Sequence, residues 1–307
     1  MNEIKNFETE LLNINENIKE KYSYIFNMSK DEFHKNILEK TGNIIKLKKL
    51  SKDELKKSGV LLGIDGSTNR VGGAYPHYID FFKALGKSTD GREEVLERIY
   101  SPVINDEDLS KEVLLSEIEL DTAISSIDKI KPDIIMMDGG LIRYKINNAE
   151  KYKELKVLCE EKGVILFGVI KDIKTDIIAR NFNFSSNTFD REILYGRFDI
   201  GEGLIIHNAI NKKYNQADVV SAFMRTSNAA SVIGIDILES QASELENISN
   251  LTYTLTPENS RGVPVWLDIV DKEVKITDNY IKTTLEEFLD RDIYERFFIS
   301  ERDRRTL

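Results

Sequence analysis

The chain has 307 residues, with 43 Lys+Arg against 53 Asp+Glu and a formal net charge of −10. Hydrophobic residues at 41 % beside charged residues at 31 % exclude a disordered chain and leave ample material for a core. The acidic balance excludes a protein that coats nucleic acid by bulk charge, because phosphate contacts need clustered Lys and Arg.

No apolar run reaches the roughly 18 residues of a membrane span. Met1 to Glu20 alternates charged and apolar residues and lacks the apolar stretch of a signal peptide, so a cytoplasmic protein is expected. A single cysteine, Cys159, excludes an internal disulfide and a multi-thiolate metal site. Its expected place is the apolar side of a helix, as a small core residue.

Residues 1–58 read as a helical extension, through Leu11, Ile14, Ile18 and then Phe33, Ile37 and Leu38. A lysine run closes it: Lys46, Lys48, Lys49, Lys52, Lys56 and Lys57. Such a run is either a solvated helix face or a phosphate-contacting patch. The character changes at Val60, and residues 59–307 form the second unit. Val60 to Ile64 is a short apolar run of the buried-strand type, closed by Asp65-Gly66-Ser67. A turn at Gly72-Gly73-Ala74 and strands at 78–82 and 95–104 follow. Helical spacing from Leu109 to Ile130 stops at Pro132. A second apolar strand, 133–137, is closed by Asp138-Gly139-Gly140. A helix over 149–162 ends at Gly163, and a third apolar strand, 164–170, is closed by Lys171-Asp172. Strand, helix, strand implies a parallel crossover. Weaker strands are expected at 204–206, 219–223 and 232–237, with helices near 242–250 and 277–298.

Two apolar strands that each end in Asp-Gly carry the chemistry, at Asp65 and Asp138. In an α/β sheet, ligands bind at the carboxyl ends of strands. Carboxylates emerging there side by side repel unless a cation lies between them, and hard oxygen donors suit Mg²⁺ or Mn²⁺ rather than zinc. Asp before Gly is also an ordinary turn signal, so one such pair alone carries little. Glu119, on the helix before the second strand, supplies a third carboxylate. Asp65, Glu119 and Asp138 together suit two-metal phosphodiester hydrolysis. Lys171, after the third strand, emerges on the same edge and can offset phosphate charge; a snorkelling lysine is the plainer reading.

These pieces resemble the NurA nuclease family. The matching stretches are Gly63-Ile64-Asp65-Gly66-Ser67, Glu119, Met137-Asp138-Gly139-Gly140-Leu141, and Gly168-Val169-Ile170-Lys171-Asp172. Residues 188–194 and 260–270 join them, so the likeness spans most of 60–300. The resemblance implies a ribonuclease H-like, Piwi-like mixed sheet flanked by helices. It implies an Mn²⁺-dependent deoxyribonuclease, with Mg²⁺ as the other candidate. Activity is expected on single- and double-stranded DNA ends, in resection during double-strand break repair. The expected partners are a HerA-type hexameric ATPase and a second copy of the chain. Asp65, Glu119 and Asp138 would hold the metal. Family members often carry a further histidine ligand in the C-terminal block, where this chain has Asp271. DNA contact is expected from Lys46, Lys48 and Lys49 and from Arg291, Arg296, Arg302, Arg304 and Arg305.

Two other readings stay open. Actin-like ATPases and sugar kinases share the core and place a phosphate turn where Asp65-Gly66-Ser67-Thr68 stands, although the late Gly-rich adenosine segment is missing. A catalytically impaired repair scaffold is the other. Of the three histidines, His34, His77 and His207, only His77 follows a motif closely enough to approach the site, and a structural role suits it better.

Overall fold

The computed structural model describes residues 7–105 and 109–299. Nine strands are present among them: β1 (Gly42–Lys46), β2 (Leu61–Gly72), β3 (Tyr78–Ser88), β4 (Glu93–Tyr100), β5 (Ile134–Asp138), β6 (Ile165–Ile170), β7 (Glu202–Ile206), β8 (Val219–Arg225) and β9 (Ile233–Leu238). They form one sheet in the order β1-β7-β8-β9-β6-β5-β2-β3-β4. Only β2–β5 and β5–β6 are parallel; every other pair is antiparallel.

The three apolar runs sit at the centre for a physical reason. A strand covered on both faces must be apolar at every position, so it reads as a continuous run. Leu62, Ile64, Ile135 and Met137 face one layer, with Leu120, Ala123, Leu155 and the buried Cys159. Leu61, Ile134 and Met136 face the other, with Phe167, Leu251 and Leu267. The alternation is the period of two of a pleated strand.

The Lys111–Lys129 helix is capped by Ser110, whose side chain accepts from the Val113 N–H, and it buries Leu114, Ile118, Ala123 and Ile127. The Ala149–Lys162 helix ends on Gly163 in the left-handed conformation, φ 69°, which glycine adopts without strain.

Four expectations change. The first strand does not close at Asp65. Its pairing with β5 ends at Ile64↔Met137, but β3 continues as its partner to Gly72↔Tyr78. Asp65 therefore lies where β2 leaves β5, in the middle of a long strand. The helical reading of residues 1–58 fits several helices between Phe7 and Thr41 and the Lys52–Lys57 helix. Gly42–Lys46, however, is an edge strand on β7. The expected helix 277–298 divides into Asp278–Phe288 and Arg291–Phe297. A helix at Val265–Val274 was not expected; its signal is Pro264 followed by Leu267, Val270 and Val274, all buried at helical spacing.

Candidate metal centre

Three carboxylates converge at the carboxyl ends of the central strands. One oxygen from each of Asp65, Asp138 and Asp271 lies within 4.8 Å of the others. β2 carries Asp65, β5 ends on Asp138, and the Val265–Val274 helix carries Asp271. The last of these reaches the strands because Gly63 has no side chain. A Cβ there would lie 3.1 Å from both Trp266 Cδ1 and Val270 Cγ2. The helix therefore lies directly on β2, and Trp266 Nε1 donates to the Lys87 carbonyl at 3.0 Å to hold it.

The turn after Asp138 is equally close-packed. Gly139 has φ 112°, and its N–H donates to the Val169 carbonyl at 2.9 Å. A Cβ on Gly168 would stand 2.2 Å from the Gly139 oxygen. Glycine at both places lets the turn fold down over β6.

The electrostatics are those of crowded anions. Burial pushes the Asp65 carboxyl up to about 8, with the Asp138 charge adding to the effect and the Lys171 ammonium opposing it. Lys171 Nζ donates to Asp138 Oδ2 at 2.6 Å, so the lysine emerges where the sequence placed it. Asp271 pairs with Lys275 at 3.4 Å and is the most open of the three. A set of three carboxylates, one of them driven toward its protonated form, is chemically matched to a hard divalent cation.

Glu119 lies beside this set rather than within it. Its side chain is buried, and Oε2 accepts from Arg143 Nη2 at 2.6 Å. Burial raises its carboxyl to about 7, opposed by Arg143. Its Oε1 would be 2.7 Å from a Cβ on Gly66, so it reaches the strand immediately behind Asp65. Arg143 was missed in the sequence. It also donates to the Asp138 carbonyl at 3.0 Å and the Tyr144 hydroxyl at 2.7 Å. Arg261, also missed, donates to Asp268 Oδ1 at 2.5 Å. That bond holds it charged, helped by the fields of Asp271 and Asp138.

The expected DNA-contacting groups do not gather here. Lys49 Nζ donates to the Tyr253 and Thr256 carbonyls at 2.5 and 3.1 Å and lies over the Tyr253 ring. Lys48 pairs with Glu54 at 3.6 Å. Lys48 and Lys57 line one cavity with Ile134 and Ile165, which begin β5 and β6, at the edge opposite Asp138. Lys46 is exposed at the end of β1, paired in register with Glu202. Arg291 bonds Glu295 at 2.7 Å, and Arg296 is exposed on the same short helix. Arg302, Arg304 and Arg305 lie outside the described residues. His77 packs against the Phe297 ring, with centroids 6.1 Å apart. The Asp65–Thr68 segment is continuous strand paired to β3, with the turn only after Gly72, and not a phosphate turn.

The family model for the NurA domain matches residues 59–276. A comparison with curated proteins returns no match. The crystal structure of the NurA nuclease from Sulfolobus solfataricus is similar over 94 % of this chain and 99 % of that one, with a TM-score of 0.62 and 15 % identity. A structure of NurA bound to dAMP and manganese is similar over 95 % and 98 %, with a TM-score of 0.55 and 13 % identity. The shared architecture is a mixed sheet with flanking helices.

Proposed function

The chain belongs to the NurA family, and from that premise we propose that it is a metal-dependent deoxyribonuclease. Its metal would be held by Asp65, Asp138 and Asp271, with Glu119 at their side. The observation that carries this reading is the convergence of three carboxylates from three separate elements within 4.8 Å. Mn²⁺ is the favoured ion and Mg²⁺ the alternative; manganese in the NurA structure bound to dAMP supports the choice. Asp271 takes the place of the family's usual histidine, and an aspartate oxygen is an adequate donor for either ion.

A divalent ion bound at this site would supply an activated water and offset charge on the phosphodiester. The chain's own groups do the remaining work. Lys171 keeps Asp138 aimed by a 2.6 Å bond and presents an ammonium at the same edge for a scissile phosphate. Arg261 supplies a guanidinium beside Asp268, suited to bidentate phosphate contact. Arg143 fixes the orientation of Glu119 through a 2.6 Å bond and partly offsets the effect of its burial.

The finer reading is a 5′–3′ exonuclease on single- and double-stranded DNA with single-strand endonuclease activity. It would act as a cytoplasmic homodimer with a HerA-type ATPase in end resection and double-strand break repair. Residues 1–58 would be the N-terminal extension to a nuclease domain at 59–307. Cleavage of a labelled single-stranded oligonucleotide with Mn²⁺ tests the core of it. Wild type should cut and Asp65→Asn should not while melting normally; equal cutting by both would remove the reading.

A further inference from the structure

Behind the turn that follows Asp138 lies a charged group of atoms that the proposed chemistry does not use. Asp236, on β9, is fully buried, and Lys213, on the Lys212–Ala217 helix, is 5 % exposed. Lys213 Nζ donates to both Asp236 oxygens, at 2.8 and 3.0 Å. Ser221 Oγ donates to Asp236 Oδ1 at 2.7 Å, and Asn211 Nδ2 donates to Ser221 Oγ at 3.2 Å. The Leu141 N–H donates to Asp236 Oδ2 at 3.2 Å.

We propose that Lys213 and Asp236 are a positioning pair that clamps the Asp138-Gly139-Gly140 turn, and so sets Asp138 for metal binding. The proposal rests on the metal-site reading above. Three observations carry it. Asp236 lies opposite Gly168 in the β6–β9 register, and Gly168 is the position over which the Gly139 carbonyl folds. Asp236 Oδ2 would stand 2.8 Å from a Cβ on Gly140, so the carboxylate touches the turn itself. Its bond to Leu141 N ties down the first residue after the turn. The Asp138 side chain is thus held by Lys171, and the turn that follows it by Asp236.

Energetics favour a positioning role. Taking two charges out of water is expensive, and an apolar pair of similar volume is often as stable or more so. A buried pair of this kind stabilises little on balance, but it fixes one geometry. Partners behind metal ligands commonly tune affinity by about 10–100-fold.

The test separates stability from position by measuring Mn²⁺ binding without DNA, by electron paramagnetic resonance of the free ion, beside thermal melting. Lys213→Met with Asp236→Asn removes both charges but keeps an acceptor for Leu141 N, and should lose less Mn²⁺ affinity than the variant that removes the acceptor as well. Lys213→Met with Asp236→Leu removes the acceptor too, and its affinity should fall about tenfold or more. Gly140→Ala leaves the Lys213–Asp236 pair unaltered but forces the turn and Asp236 apart, and should weaken binding in the same direction. Gly140→Ala alone decides if the leucine variant does not fold. Wild-type affinity in the folded leucine variant or in Gly140→Ala overturns the clamp. Mn²⁺ binding in wild type that Asp65→Asn leaves untouched overturns the metal-site reading and the clamp with it.

Discussion

Asp65 and Asp138 are close enough that each feels the other's charge, and the consequence is a dependence on cation. Asp65→Asn and Asp138→Asn should each lower cleavage by about a hundredfold or more, the several kcal/mol that a lost metal contact is worth. Mn²⁺ should raise the melting temperature of wild type and not of the double variant. Metal-free stability should carry the mark of the raised carboxyls. The Asp65 carboxyl is raised to about 8 and Glu119 to about 7. Ordinary unfolded values are about 3.9 and 4.3. Between those limits these two groups bind more protons in the folded state than in the unfolded one, so their contribution to stability is full below about pH 4 and is lost as pH rises through 8. Melting curves across that range, without metal, should fall for wild type and fall less for Asp65→Asn. A flat wild-type profile would contradict the assignment. Metal binding should show the opposite trend and strengthen with pH, because the ion displaces the proton.

At the scale of elements, the site depends on how closely the Val265–Val274 helix approaches β2. Gly63→Val should force the helix away, since even a Cβ there meets Trp266 and Val270 at 3.1 Å. The expected cost is about 1–3 kcal/mol, the usual range for overpacking. Mn²⁺ affinity should fall as well, because Asp271 moves with the helix. Unchanged affinity in a destabilised Gly63→Val would show that Asp271 is not a ligand.

Over the whole molecule, the edge that bears the carboxylates also bears Lys171 and Arg261, while the Lys52–Lys57 helix lies at the other. Each phosphate contact contributes close to one unit of slope to the dependence of log affinity on log salt for duplex DNA. Lys171→Ala and Arg261→Ala should each reduce that slope by about one, and Lys52→Ala with Lys57→Ala should leave it unchanged. The reverse pattern would move the DNA path to the lysine run. The Phe7–Lys21 helix buries none of its residues. Removal of residues 1–20 should therefore shift the melting temperature by no more than about 2 °C.

Some of this was legible in the chain itself. The three apolar runs, the Asp-Gly pair, the Lys111–Lys129 helix and the parallel crossover follow from local periodicity and turn chemistry, which act over a few residues. Lys171 beside Asp138 follows as well, since parallel neighbouring strands end on one edge. What the tertiary structure alone decided is which distant groups meet. The family resemblance pointed to Asp271, but that it joins Asp65 across about two hundred residues because Gly63 admits a helix is announced by no periodicity. Glu119 is turned toward Arg143, a residue its own helix does not contain. Asp65 sits mid-strand because β3 outlasts β5, a matter of register rather than of the residues after it. The net charge of −10 named no site. Only folding sorts the charges, gathering three carboxylates at one edge with Lys171 and Arg261 beside them, because convergence is a property of three dimensions and composition is not.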